Sequence, residues 1–292
     1  MKNLIFSALM MFALTSVFAQ SDSKPRIRIS DIMVQGGMQN FNNFSLDQSD
    51  FIKLAPGDPF LLTDFSDYTK SRSTGASSGL FAVTIGLKFL DTEHDSYRAN
   101  PVLRLGIFNA RTSPDGIFYS KDEYFRYDTL TSSATNQQYF VDSVSTSHYE
   151  MHYSSEHLGL TASVQFSTNP EKRVSLYAGA GLIAAFSFNN TTEVANYEYG
   201  SFVSDDIFYN SSGHYSSDYD YKSIFYTNKT TTLMSFGVPL GFDFRMGRSH
   251  YFWNQIHLVY EIRPSVTMTD IPELKTFTTT GLCSTLGFKV AW

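Results

Sequence analysis

The stretch that decides the fold is MSFGVPLGFDFRMG, residues 234–247. Every second residue is large and apolar: Met234, Phe236, Val238, Leu240, Phe242, Phe244 and Met246. Between them stand Ser235, Gly237, Pro239, Gly241, Asp243 and Arg245. A period of two predicts a strand with one apolar face. A soluble barrel or sandwich turns such a face inward, whereas a membrane barrel turns it out to lipid. The residues opposite decide between them. A water-facing surface usually carries Lys, Glu, Thr and Arg with little limit on volume. Across the candidate strands of this chain the polar side is mostly Gly, Ser, Ala and Thr with a few charges, as a narrow enclosed lumen requires.

The same alternation predicts eight strands, over residues 27–39, 79–91, 100–112, 148–168, 173–189, 230–246, 251–268 and 276–292. A tilted strand crosses a bilayer with about 9–11 residues, which each of these supplies. The first is the least regular, because neither of its parities is convincingly apolar. Pro239 removes a ladder donor, and a closed barrel has no edge to hide it on, so a local bulge is expected there. Connection lengths alternate for most of the chain. The links at 92–99, 169–172 and 247–250 are short, whereas those at 40–78, 113–147 and 190–229 run to about 35–40 residues and that at 269–275 is short again. Brief periplasmic turns alternate with longer outer loops in bacterial barrels, so both termini are expected in the periplasm. The fold expected is an all-β, eight-stranded antiparallel transmembrane β-barrel with long extracellular loops.

The N-terminus reads MKNLIFSALMMFALTSVFAQSDS. A basic Lys2, a short apolar run and a small residue before the cut are the layout of a secretory signal peptide, cleaved between Ala19 and Gln20. That leaves residues 20–292 as one outer-membrane barrel domain. No other apolar run reaches the roughly 20 residues of a spanning helix. One cysteine, Cys283, allows no internal disulfide framework. The formal charge of -6 argues against nucleic-acid binding.

The chain ends in LGFKVAW, with Phe288, Val290 and the terminal Trp292 in alternation. This resembles the signal read by the barrel-assembly machinery during insertion into outer-membrane lipid. With the leader and the strand pattern, the chain resembles the small outer-membrane β-barrel proteins of the PorT-like type found in Bacteroidetes-like bacteria. That resemblance implies a bacterial outer-membrane location and a barrel shape. The group includes a component of a protein-secretion apparatus, but no residue set here singles out that role.

Seven charged residues are expected in the lumen: Lys88, Arg104, Asp243, Arg245, Glu261, Arg263 and Lys289. Buried charges need partners, so a structural ion-pair network that plugs the barrel is expected rather than a charged pore. Basic groups outnumber acidic ones in this set, and interior Tyr, Gln, His or water should complete it. The segment HYEMHYSSEH holds His148, His152 and His157 around Glu150 and Glu156. In a strand, His148 and His152 share a face about 13 Å apart, so one metal is not expected to bridge them. His257 lacks a marked nucleophile, with no GxSxG elbow in the chain, so no catalytic residue, cofactor or metal is assigned. The loops are rich in Tyr, Ser, Asn, Asp and Phe, a composition suited to adaptable recognition and also to strands extended above a membrane with aromatics paired across them. No calcium motif joins Asp205, Asp206, Asp218 and Asp220. Residues 45–60 are expected to form a short helical turn, ended by APGDP, across the barrel mouth or at the membrane interface. The function expected is a monomeric, non-enzymatic barrel with a structural or recognition role through its loops. The alternatives are an accessory part of an envelope export or transport system, and a membrane-embedded hydrolase.

Overall fold

The computed structural model describes residues 26–42, 45–72, 76–90, 101–113, 116–131, 133–136, 138–168, 172–204, 219–247 and 251–291. The leader with Ala19 and Gln20, and the terminal Trp292, lie outside them. Among the described residues twelve strands form one antiparallel sheet: β1 (Arg26–Asn42), β2 (Thr69–Arg72), β3 (Ala76–Leu90), β4 (Val102–Ser113), β5 (Gly116–Thr131), β6 (Gln138–Ser167), β7 (Val174–Ser204), β8 (Tyr219–Thr227), β9 (Thr232–Gly237), β10 (Leu240–Arg245), β11 (Ile256–Asp270) and β12 (Thr276–Ala291). Two short helices join them, α1 (Gln48–Leu54) and α2 (Tyr251–Gln255).

Eight staves close a ring in the order β1, β3, β4, β6, β7, β9 with β10, β11, β12, and β12 pairs back with β1. The barrel thus has no free edge. Its outer surface carries Val83, Ile85, Ile107, Leu160, Phe186, Phe236, Leu240, Leu286 and Phe288, all exposed. Phe236 is 53% and Leu160 68% exposed, while their neighbours Ser235 and Thr161 are buried. An apolar belt around a closed barrel, with small polar residues inside, is the surface of a strand bundle solvated by hydrocarbon. Leu160→Arg is therefore expected to cost about 2–4 kcal/mol of unfolding free energy in lipid vesicles. Equal stability of the variant there would mean that this face does not meet lipid.

β1 explains its own irregular sequence. Its pairing with β3 shifts register between Ile29 and Asp31, so Ser30 and Asp31 both turn inward. The outward parity changes at that bulge, from Ile27 and Ile29 to Ile32, Val34 and Met38. Two further expectations need correction. At Pro239 there is no bulge: Gly237 opposite Ser265 and Leu240 opposite Ile262 share one register. The ladder lapses for two residues instead, with Val238 N–H donating to Pro264 O (3.0 Å) and Pro239 O accepting from Gly179 N–H (2.9 Å). Residues 251–255 are helical rather than strand. Three consecutive aromatics there have no alternation to pin a strand register, and exposed Phe252 and Trp253 suit an interfacial turn at the foot of the barrel.

β6 and β7 are the longest elements, 30 and 31 residues. At about 3.3 Å per residue each contour is roughly 100 Å, far more than a bilayer crossing uses. Their upper parts leave the barrel at the end opposite the chain termini. There β5 and β8 pair with them, and β2 pairs with β5, giving a sheet ordered β2, β5, β6, β7, β8.

Candidate functional site: a filled lumen beneath a capped sheet

The inward face of the upper sheet is covered by residues 45–68. Asp50 carboxylate takes the Asp47 N–H at the start of α1 (3.1 Å), which fastens the first helical turn. Pro56 and Gly57 then reverse the chain, Gly57 at φ +81°, and Asp58 N–H donates to Ala55 O (3.3 Å). The positive φ is the requirement a glycine meets at no steric cost. This reversal lets Phe51 and Leu54 from α1 and Leu61 and Phe65 beyond it enter one core. The sheet contributes Ile117, Tyr119, Met151, Tyr153 and Val194, the β11–β12 link adds Ile271, and the start of β12 adds Phe277. Phe65 stacks on Tyr119 (ring centroids 4.2 Å) and stands edge-on to Tyr149 (5.2 Å).

Polar ties fix this cap to the sheet. The buried Asp58 accepts from Tyr226 hydroxyl (2.8 Å) and from Phe60 N–H (2.8 Å). Burial first, and then that carboxylate, push the Tyr226 phenol up to about 12, so it stays a donor at any physiological pH. Asn228 side-chain N–H donates to Leu54 O (2.7 Å), occupying one of the carbonyls a helix C-terminus leaves open. The capped helix thus packs between the upper sheet and the residues around the start of β12.

Below the cap, Phe108, Ala110, Ile183, Ala185 and Leu233 form an apolar layer inside the barrel. Next comes a cavity of about 20 Å³ lined by Gln35, Gln39, Thr84, Arg263, Cys283 and Thr285 among others. That is room for about one water. Among the described residues the hydroxyls of Thr84 and Thr285, which both line this cavity, have no partner, and a water in it would supply one.

The charges follow in two clusters. In the first, Arg104 pairs with Asp31 (2.7 Å) and donates to Gln165 (2.6 Å). Gln165 donates to Glu261 (3.3 Å), which also accepts from Tyr177 hydroxyl (3.0 Å) and from Arg263 (2.6 Å). In the second, nearer the termini, Asp243 takes His257 Nδ1–H (2.5 Å) and the Lys289 ammonium. Five of the seven charged residues named from sequence thus sit within these two clusters. Lys88 is half-buried and stands opposite Arg28 on β1 and Val102 on β4. Arg245 turns instead to Asn254 in α2 (3.3 Å). The residue that sequence reasoning missed is Asp31, the counterion of Arg104. The doubled inward step at Ser30–Asp31 hid it, and the signal available was the parity change of the isoleucines around it.

His257 meets Asp243, and among the described residues no serine hydroxyl is hydrogen-bonded to it. His157 lies against Thr231 hydroxyl (3.2 Å), also buried. His148 and His152 lie on the outward face of the upper sheet, where both imidazoles lean toward the Glu150 between them (3.7 and 3.5 Å). Among the described residues no set of three or more His, Cys, Asp or Glu side chains is placed to hold a metal. The arrangement can bury paired charge within the barrel and hold a capped sheet outside the apolar belt.

No protein-family model matches this chain, and no curated protein matches it. Among solved structures, it is similar to the Neisserial surface protein A at 12% identity, over 89% of this chain and 97% of that one, with a TM-score of 0.29. The translocator domain of autotransporter NalP from Neisseria meningitidis aligns at 8% identity over 99% and 96%, TM-score 0.20. The transport unit of AIDA-I from Escherichia coli aligns at 11% identity over 98% and 97%, TM-score 0.20. The barrel is defined by its own strand pairings, closed between β12 and β1.

Proposed function

We propose that this chain is a monomeric, non-enzymatic barrel of the bacterial outer membrane that works by recognition or scaffolding through its loop end. Both termini face the periplasm, and the capped sheet stands outside the cell. The C-terminal LGFKVAW, which resembles the terminal assembly signal, agrees with insertion by the barrel-assembly machinery. The observation that carries this reading is the contrast between the two ends of β6 and β7. Their lower halves enclose a lumen crossed by an apolar layer and two buried ion-pair clusters, and their upper halves hold an ordered sheet on a core of its own. A conduit has no use for the first, and a plain membrane staple has no use for the second.

The test pairs two measurements on the full chain. In planar bilayers it is expected to give no steady conductance, and stable channel steps would overturn the closed lumen. A photocrosslinker at Tyr221, on the outward face of the sheet, is expected to capture an envelope or surface partner in intact cells. Capture from Leu160 on the belt but never from Tyr221 would remove the recognition role.

A further inference from the structure

The outward face of the upper sheet carries a charge pattern unlike the rest of the molecule. Phe118, Glu150 and Ala195 stand opposite one another on β5, β6 and β7, and beside them run Ser120, His148, Tyr197 and Tyr221. On the next row His152 stands opposite Glu193. His148 stacks on Tyr197 (4.3 Å, 23°), Phe118 meets His152 edge-on (5.2 Å), and Tyr197 and Tyr221 approach at 6.5 Å. Each tyrosine hydroxyl fixes a carboxylate: Tyr197 donates to Glu150 (3.1 Å) and Tyr221 to Glu193 (3.2 Å). The result is a strip of aromatic rings with two oriented carboxylates set into it.

Among the described residues no lysine or arginine lies on this strip. The arginines that flank it, Arg126 above and Arg111 below, are engaged by Asp142 (2.6 Å) and Glu156 (3.8 Å). Burial pushes the His148 imidazole down, against the opposing pull of Glu150, so it is neutral at neutral pH. The sequence repeats the bias. Between Arg173 and Lys222 there is no Lys or Arg, while Glu193, Glu198, Asp205, Asp206, Asp218 and Asp220 all fall there. A face without Lys or Arg that presents ring faces and carboxylates is complementary to cations. Guanidinium groups stack on aromatic rings and bind carboxylates through two parallel N–H bonds.

We infer that this strip is the docking face for a cationic polypeptide segment, in which arginine side chains stack between the rings and pair with Glu150 and Glu193. The inference rests on the recognition reading above and names the partner's chemistry. The cap makes the strip usable: with its inner face packed on α1, the sheet presents the outer one without having to fold on contact, which lowers the ordering cost of binding.

The test uses the full chain in detergent micelles at low ionic strength, with labelled hexa-arginine, hexa-lysine and hexa-glutamate as probes. Saturable anisotropy is expected for hexa-arginine, weaker binding for hexa-lysine, and none for hexa-glutamate. The double variant Glu150→Gln with Glu193→Gln should lose about tenfold in affinity for hexa-arginine. Glu193→Gln alone, a milder change at an exposed rim, should lose about threefold and serves if the double variant does not fold. Glu198→Gln, on the opposite parity of β7, should change nothing. Equal binding by wild type and the Glu150/Glu193 variants, or equal weakening by Glu198→Gln, overturns the inference as generic attraction to an acidic protein. Crosslinking from Tyr221 separates the two levels. Capture that persists in the double variant removes this inference and leaves the recognition reading intact. Absence of any capture removes both.

Discussion

Glu261→Ala is expected to lower the unfolding free energy of the barrel by about 3–5 kcal/mol, one of the two largest single-residue effects in the molecule. Glu261 is 1% exposed and is the acceptor on which three donors converge: Arg263, Tyr177 and Gln165. Removing it leaves the Arg263 guanidinium charged in a space that holds about one water, with no other carboxylate in the cluster free to take it, since Asp31 is already paired with Arg104. The hydrophobic gain of an alanine methyl is small beside that penalty. Removing both partners should cost much less, because a pair replaced by apolar side chains of similar volume leaves no stranded charge. Reversible denaturant unfolding of Glu261→Ala, Arg263→Met and the double variant Glu261→Leu/Arg263→Met reads this directly. If the double variant loses as much as the sum of the single changes, the two side chains are not a pair, and the network is not what fills the lumen.

What the sequence made legible follows from where one physical pressure acts alone. In β12 the lipid face and the lumen face are under opposite and constant demands, so Leu282, Leu286, Phe288 and Val290 alternate cleanly with Cys283, Thr285, Gly287 and Lys289. The structure keeps every one on the expected side. In β1 the same demands hold, but a bulge shifts the phase halfway, and the strand reads as irregular although each part obeys the rule. β6 and β7 extend 10 and 15 residues beyond their expected ends at His148 and Asn189. There the sheet leaves the belt: its inner face meets a cap rather than lumen, and its outer face meets water rather than lipid. Tyr, Ser and Thr serve on both sides, and the alternation in hydropathy disappears while the ladder continues. The acidic-aromatic strip was visible only as loop composition, because its meaning lies in cross-strand neighbours, such as His148 with Tyr197 and His152 with Glu193, that no linear spacing reveals. Counterions are unreadable for the same reason: Arg104 and Asp31 are 73 positions apart.

Phe51→Ala is expected to cost about 3–5 kcal/mol, but to a different unit. Phe51 is 0% exposed, at the centre of the cap between α1 and the upper sheet. None of the ring pairings β12–β1, β1–β3 or β3–β4 depends on it. The loss should therefore show as local opening of the cap rather than as unfolding of the barrel. Hydrogen exchange at Ala55, whose N–H donates to Phe51 O (2.8 Å), should quicken by roughly two to four orders of magnitude. Amides in the middle of β12 should be unaffected. Ile52→Ala, on the exposed side of the same helix, should stay within about 0.5 kcal/mol. The split between cap and barrel is the decisive reading. Should Phe51→Ala speed exchange in β12 as much as in α1, cap and barrel would be one cooperative body, and the sheet that presents Glu150 and Glu193 would owe its rigidity to the membrane-embedded ring. Should only the cap respond, that rigidity comes from the cap's own core, which makes the helix at the barrel mouth the support on which recognition at the opposite face of the sheet depends.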